Sequence, residues 1–429
     1  MMVALLMLVV FLAIIFLGVP ISTGMGIATL TGLIAGDYKI SVLPQLLQQA
    51  AGNATLISIP YFILAANLMN GSGITKRLFD WADALVGWMA AGMAHVNVIA
   101  SVIFAGISGT ANADAAGLGM IEIEAMDKQG YSKEFSASIT LASSVLGPII
   151  PPSVPFIVYA MLSELSVVDL FLAGILPGLV LAIVLMIANY ILYKKRKIGG
   201  PKPRKFDGKR LWVKTKEGFF ALLAPIILLV CIFSGVVTAT ESGIIAVVYS
   251  LIAAIIYREM SIKQFIKALK DTVLATASIL FLVGMGYGIG WVMTIERVPQ
   301  NLTKAMLAFS DNTFVLLMLI NLFLLVLGCF MDGTTIRLIT VPLFLPVLDA
   351  IGFSRLQFGV VHTFNTLIGF CTPPVGVGLM IMCTVANVKF SKMVKSFLPF
   401  YVVLLLVLVL LTFVPQITLW LPGIIHSLG

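Results

Sequence analysis

Two stretches of small polar residues interrupt otherwise apolar sequence in this chain, and a double proline follows each. The first reads Gly106-Ile107-Ser108-Gly109-Thr110-Ala111-Asn112-Ala113-Asp114, with Ser143-Ser144-Val145-Leu146-Gly147-Pro148-Ile149-Ile150-Pro151-Pro152-Ser153 behind it. The second reads Gly328-Cys329-Phe330-Met331-Asp332-Gly333-Thr334-Thr335, with Asn365-Thr366-Leu367-Ile368-Gly369-Phe370-Cys371-Thr372-Pro373-Pro374 behind it. Proline has no amide N–H and clashes with the preceding helical turn, so a Pro-Pro pair inside a helix strips carbonyls of their donors. In hydrocarbon those carbonyls must bind something. A dehydrated hard cation prefers several carbonyl and hydroxyl oxygens, and Ser143, Ser144, Asn365, Thr366 and Thr372 add such oxygens beside the breaks. A single Pro-Pro would ordinarily only kink a helix. Two of them, each behind a polar tip, point to cation binding.

The elements that hold these residues are repeated. Gly106, Gly130, Ser132, Gly147, Pro151, Pro152 and Pro177 recur 222 residues later as Gly328, Gly352, Ser354, Gly369, Pro373, Pro374 and Pro399. Glycine and proline set backbone geometry, so two halves share a fold even where side chains have drifted. With 60% hydrophobic and 11% charged residues and a mean hydropathy of +1.09, the chain cannot cover a water-facing surface and belongs in lipid. Met1 to Leu17 has no basic stretch before it and reads as a retained span rather than a signal peptide. Cys231, Cys329, Cys371 and Cys383 lack metal-ligand spacing and read as small buried hydrophobes.

Apolar runs near bilayer length fall at about 2–19, 23–36, 54–70, 133–164, 169–193, 217–235, 240–257, 273–295, 355–387 and 392–414. Alternation places five stretches on the side of the basic segment Lys194 to Lys216: 75–95, 127–133, 194–216, 258–270 and 389–395. They hold 2, 2, 11, 4 and 3 basic residues, 22 of the chain's 27, and leave only Lys39, Arg297, Lys304, Arg337 and Arg355 elsewhere. The positive-inside rule makes that side cytoplasmic and puts both termini outside. An odd number of crossings separates the two halves, so the duplication is inverted. The expected organisation is a first repeat over 1–193, a basic cytoplasmic linker over 194–216 and a second repeat over 217–429. The linker's charge suits anionic lipid heads and implies no nucleic acid. The tips belong to re-entrant helical hairpins at about 94–126, entering from the cytoplasm, and 313–349, entering from outside; the broken helices cover about 133–164 and 355–387.

The strings Ser108-Gly109-Thr110-Ala111-Asn112-Ala113-Asp114, Gly147-Pro148-Ile149-Ile150-Pro151-Pro152-Ser153, Phe171-Leu172-Ala173-Gly174-Ile175-Leu176-Pro177-Gly178, Met331-Asp332 and Thr372-Pro373-Pro374-Val375-Gly376 resemble the large membrane subunit of tripartite ATP-independent periplasmic (TRAP) transporters, the DctM-like family. The similarity runs from about residue 3 to 420. It implies an all-α, elevator-type transporter of the bacterial inner membrane. Such a protein imports organic acids with sodium, beside a small four-helix membrane subunit and a periplasmic substrate-binding protein. Carried over, the resemblance places one sodium site at Ser108, Gly109, Ser144, Gly147 and Pro151 and another at Gly328, Asp332, Thr366, Gly369 and Thr372. Substrate would lie between the hairpin tips, at Thr110, Asn112, Thr334, Thr335 and Arg337.

Where the family commonly reads Thr-Pro after the Asp, with an aliphatic residue two positions further on, this chain has Thr334-Thr335 and Arg337. A charge at membrane depth usually faces a cavity, and arginine suits bidentate capture of a carboxylate. A salt bridge to Asp332 and snorkelling to the outer surface are the alternatives. Asp332 is expected to be ionised and to couple ion to substrate, against the plainer role of a helix cap. His362 reads as a packing histidine, and Asp114 as a local Asx-type bond or cap. The run Gly284-Met285-Gly286-Tyr287-Gly288-Ile289-Gly290 lacks the context of a nucleotide loop and suits close helix packing.

No enzyme is expected, since the apolar segments hold no paired carboxylates on one helical face, no His-Glu-x-x-His and no nucleophile–base pair. No filter-like repeat argues for a channel. A stand-alone sodium or proton symporter for dicarboxylates is the competing reading.

Overall fold

The computed structural model describes residues 2–195, 199–234 and 236–428. Arg196, Lys197 and Ile198 of the basic segment, together with Gly235, Met1 and Gly429, lie outside the described residues.

The helices come in the same order twice. The helices α1 (Met2–Phe16), α2 (Ile21–Ala35), α3 (Val42–Ala51), α4 (Ser58–Gly71) and α5 (Ile74–Val86) precede a hairpin. Its first arm is α6 (Gly92–Ser108); its second is α7 (Ala111–Ala113), a π-helical turn over Asp114–Leu118 and α8 (Gly119–Lys128). Then follow α9 (Lys133–Ser144), α10 (Val154–Ser163) and α11 (Val167–Lys194). The second half runs α12 (Gly208–Glu217), α13 (Phe219–Phe233), α14 (Ala239–Tyr257), α15 (Ile262–Ile295) and α16 (Val298–Phe309) before its hairpin of α17 (Thr313–Gly328) and α18 (Gly333–Ala350). It closes with α19 (Arg355–Phe370), α20 (Val377–Ala386), α21 (Phe390–Phe413) and an added α22 (Pro415–Leu428).

The repeated sequence punctuation has a local cause. Gly130 and Gly352 adopt φ of +83° and +67°, a conformation that glycine takes at little cost as it ends a helix. Ser132 and Ser354 then cap α9 and α19, each hydroxyl accepting from the backbone N–H three residues on at 3.3 Å. Packing between the halves is reciprocal: α9 lies on α21 and α11 on α19, while α10 lies on α18 and α20 on α8 and its π-helical turn. Contacts exchanged in this way are what a two-fold relation produces, so the halves form two inverted repeats.

The basic stretches meet at one face. Arg77 pairs with Glu259 at 2.7 Å, Lys214 with Asp80 at 3.2 Å, Arg210 with Asp83, and Lys392 with Glu134 at 3.7 Å. Tyr131 bridges to Gly199. The hydrogen bond from Arg77 holds the Glu259 carboxyl below its ordinary range. At the other face Tyr38 bonds Glu296, Arg355 pairs with Asp349, and His426 reaches Asp169 at 2.9 Å. The helix α11 joins the faces: Asp169 lies in its first turn and Lys194 in its last, 28 residues or about 42 Å of helix. Both arms of the first hairpin therefore end at the basic face. Those of the second end at the opposite one, where Phe314 stacks on Phe413 at 4.6 Å. Single cysteines at positions 205 and 427 of a cysteine-free protein are thus expected to react with an impermeant maleimide from opposite sides of the membrane; labelling from one side would rule out this arrangement.

Hydropathy alone overlooked several helices. Among the described residues five helices are long and apolar enough to cross a bilayer, or six if the α12–α13 pair, bent by 70°, counts as one span. The helices α3, α5, α12, α16 and α22 escaped because they are amphipathic or interrupted by charge. In α5, Leu78, Phe79, Ala82 and Val86 are buried while Lys76, Arg77, Asp80 and Asp83 punctuate the same turns. The latter half of the expected linker is helical too: Asp207 caps α12 by accepting from the Arg210 N–H at 3.0 Å. Helix α15 begins well before the expected residue 273 because Ser261 and Gln264 form a capping box. Three of its glycines pack closely: a Cβ on Gly284 would stand 2.5 Å from Leu47, one on Gly286 2.7 Å from Leu338 and one on Gly288 2.6 Å from Thr29, whereas Gly290 has no neighbour within 4 Å.

Candidate functional site

The first hairpin ends on the first double proline. At the end of α6, Gly109 adopts φ +63°, and a Cβ there would collide with the Pro152 carbonyl oxygen. The Gly109 carbonyl accepts from the Val154 N–H at 3.3 Å. Thr110 caps α7, accepting from the Ala113 N–H at 3.4 Å. The Ser144 hydroxyl donates to the Leu141 carbonyl at 2.8 Å, which leaves its lone pairs for a further partner. The helical donor for the Gly147 carbonyl would be Pro151, which has none.

Asp114 is not the cap that its sequence position suggested. Its Oδ1 accepts from the Ser108 hydroxyl at 2.8 Å, while its Oδ2 is buried with no hydrogen-bond partner. A Cβ on Gly147 would stand 3.0 Å from that Oδ2 and 3.1 Å from the Thr110 carbonyl oxygen. Behind this junction Asn97 donates to Glu122 Oε2 at 2.8 Å and to the Thr140 hydroxyl at 2.7 Å, and accepts from the Ser143 hydroxyl at 2.6 Å. Sequence reading singled out neither Asn97 nor Glu122. The signal available for Glu122 was an ionisable residue in an apolar hairpin; Asn97, a neutral amide, carried no such signal.

The second hairpin ends on the second break through bare backbone. A Cβ on Gly328 would stand 2.7 Å from the Gly369 Cα. Beside it a Cβ on Gly333 would meet the Thr366 hydroxyl at 3.2 Å. That hydroxyl donates to the Thr363 carbonyl at 2.9 Å, and the Thr372 hydroxyl to that of Ile368 at 2.6 Å. Asp332, which occupies the position of Thr110 in the repeat, caps α18: Oδ1 accepts from the Thr334 and Thr335 N–H groups at 2.9 and 3.1 Å, and Oδ2 from the Thr335 hydroxyl. Both oxygens are thus engaged locally. In both breaks the Pro-Pro bond is cis.

Between the tips lies a cavity of about 370 Å³. Thr110, Asn112, Gly328, Asp332, Thr334, Arg337 and Thr366 line it, joined by Ser278, Ile279 and Leu282 of α15, which the sequence did not nominate. Thr335 is fully buried and off the cavity wall. None of the five residues expected to hold the first cation, nor Gly369 and Thr372 of the second set, is on the wall. A groove sharing Ser278, Leu282 and Asp332 continues to Ile21 and Ser22 at the start of α2. The starts of α7, α10, α18 and α20 all reach the cavity, so partly positive helix ends converge there.

Arg337 is 1% exposed. Its Nη2 reaches only the Thr363 hydroxyl, at 3.5 Å, and its Nε has no partner. Among the described residues no carboxylate lies within 4.0 Å of it. The salt bridge to Asp332 therefore does not form, and burial excludes snorkelling. His362 is a packing residue: one ring nitrogen meets the Thr340 hydroxyl at 2.7 Å, with Tyr159 and Phe358 rings around it.

Residues 8–417 match the family model of the tripartite ATP-independent periplasmic transporter, DctM component. The chain belongs to this DctM family. It is 38% identical over 421 residues to the sialic acid TRAP transporter large permease protein SiaM of Vibrio cholerae, covering 97% of this chain and 98% of that one. It is 35% identical to the C4-dicarboxylate large permease DctM of the same organism, over 95% of each chain. The isethionate permease DctMQ of Oleidesulfovibrio alaskensis is 36% identical over 95% of this chain and 64% of its own. The fold also resembles the YdaH transporter of Alcanivorax borkumensis, at a TM-score of 0.59 and 16% identity over 87% of this chain and 88% of that one. In this permease the cavity lies between the two tips, and it is a multi-pass membrane protein that serves substrate import.

Proposed function

We propose that the permease imports an organic acid coupled to sodium across the bacterial inner membrane, as the transport subunit of a binding-protein-dependent TRAP system. One observation carries the substrate class: a fully buried guanidinium on the wall of a cavity between the tips, with no protein carboxylate within 4.0 Å among the described residues. Burying an unpaired charge is costly, and an anion delivered to the cavity offsets that cost. The volume suits a small acid. Relatives named for sialic acid and for C4-dicarboxylates support a carboxylate. Its partners would be a small four-helix membrane subunit and a periplasmic substrate-binding protein.

Oxygen-rich junctions at the two breaks support sodium as the coupling ion. Arg337 and the second junction share one turn of α19: Nη2 faces the Thr363 hydroxyl, whose carbonyl holds the Thr366 hydroxyl. Substrate and the second cation would thereby stabilise the same arrangement. Movement of the tips and breaks as one body against α1–α5 and α12–α16 would carry the cavity across in an elevator step. The basic face would be cytoplasmic and both termini periplasmic.

Thr366→Val keeps volume and removes the hydroxyl. It is expected to raise the sodium concentration for half-maximal uptake about tenfold, roughly 1.4 kcal/mol. Sodium-titrated uptake into proteoliposomes containing the partner subunits measures this; a wild-type curve from a folded variant would remove Thr366 from the site.

A further inference from the structure

We infer that Asp114 supplies a carboxylate ligand, and the compensating negative charge, to the cation at the first hairpin–break junction. The inference rests on the sodium reading above and adds a residue and a charge to it. Asp114 is 2% exposed, and its Oδ2 has no donor. Among the described residues no Lys, Arg or His lies within 4.0 Å of it. A buried oxygen of this kind requires positive charge or a proton beside it.

The local geometry favours a cation. At the point where a Cβ of residue 147 would stand, Asp114 Oδ2 is 3.0 Å away and the Thr110 carbonyl oxygen 3.1 Å. Glycine leaves that space open between a carboxylate and a carbonyl. The Ser108 hydroxyl fixes the carboxylate by donating to Oδ1 at 2.8 Å, so Oδ2 faces the space. Ser144 ends α9 beside it, its hydroxyl proton already given to Leu141. The oxygens offered are thus acceptors of the kind a hard cation takes.

The other repeat is built differently. The residue 222 positions after Asp114 is Ile336, and the acid of that tip, Asp332, has both oxygens occupied as a cap. The two junctions are therefore built unequally: the acid of the first has an oxygen free for a further partner, whereas both oxygens of the second are already engaged.

The test is thermal unfolding of the purified transporter complex in sodium chloride against choline chloride at constant ionic strength. The wild type is expected to gain stability with sodium. Asp114→Asn retains the shape and an oxygen toward Ser108 but removes the charge, and should raise the sodium midpoint at least tenfold. Gly147→Ala leaves the carboxylate intact and fills the space; it should give the same loss, and decides the matter if the Asn variant fails to fold. An unchanged midpoint in either folded variant, with the wild type still responding, overturns the role of Asp114 alone. No response to sodium in the wild type overturns the sodium reading itself.

Discussion

Replacing Arg337 with glutamine is expected to raise the KM for an acidic substrate about a hundredfold, the equivalent of roughly 3 kcal/mol for losing one partner of a desolvated charge pair. The protein should not lose stability in step. The guanidinium has only a 3.5 Å contact to Thr363 and an unpartnered Nε, so a neutral side chain of similar length relieves a buried unpaired charge in the substrate-free state. This opposite response of binding and stability separates a substrate contact from a structural one. A structural arginine would lower the melting temperature when removed. Arg337→Lys keeps the charge but not the planar fork, and should fall between, at roughly tenfold in KM. Uptake of a panel of mono- and dicarboxylates into proteoliposomes, with melting curves on the same preparations, makes the measurement. An unchanged KM in the Gln variant would transfer anion recognition to the helix starts around the cavity.

Much of this architecture was legible in the sequence because it rests on residues whose backbone effects are strong. Of the doubled positions, Gly130 and Gly352 follow helix ends, Ser132 and Ser354 are caps and the Pro-Pro pairs are breaks, while Pro177 and Pro399 lie inside α11 and α21; the lysine and arginine distribution matched a real face of the molecule. What escaped was carried by side chains whose meaning depends on a neighbour far along the chain. Asp332 and Asp114 look alike in sequence, each an acid near a polar tip. Asp332 sits at the first residue before α18 and turns onto its own backbone. Asp114 sits inside a π-helical turn, which directs its carboxyl back to Ser108 and across to Gly147. Helix register separates the two roles, and local composition does not encode it. The amphipathic α5 and α16 were missed for a related reason: a hydropathy window averages the buried face with the charged one.

Adding one methyl group at Gly369 should disable the second junction. A Cβ there would collide with the Gly328 Cα and stand 2.7 Å from its carbonyl carbon and 2.9 Å from its carbonyl oxygen. These are main-chain atoms at the end of α17, so no side chain can swing aside; the hairpin tip must lift from the break. Overpacking of this kind costs about 1–3 kcal/mol, and the lift separates Gly328 and Asp332 from Thr366. Gly369→Ala should therefore lose most uptake and most of its sodium dependence through the second junction, beyond what reduced stability explains. The control is Gly290→Ala: that glycine is also helical, has no atom within 4 Å of an added Cβ and has no positive φ. It should be neutral, or slightly stabilising because alanine is the better helix former. Melting curves and sodium-titrated uptake of the two variants at matched protein level give the comparison. If Gly369→Ala transports like Gly290→Ala, the close backbone approach at the second break is not what assembles the site.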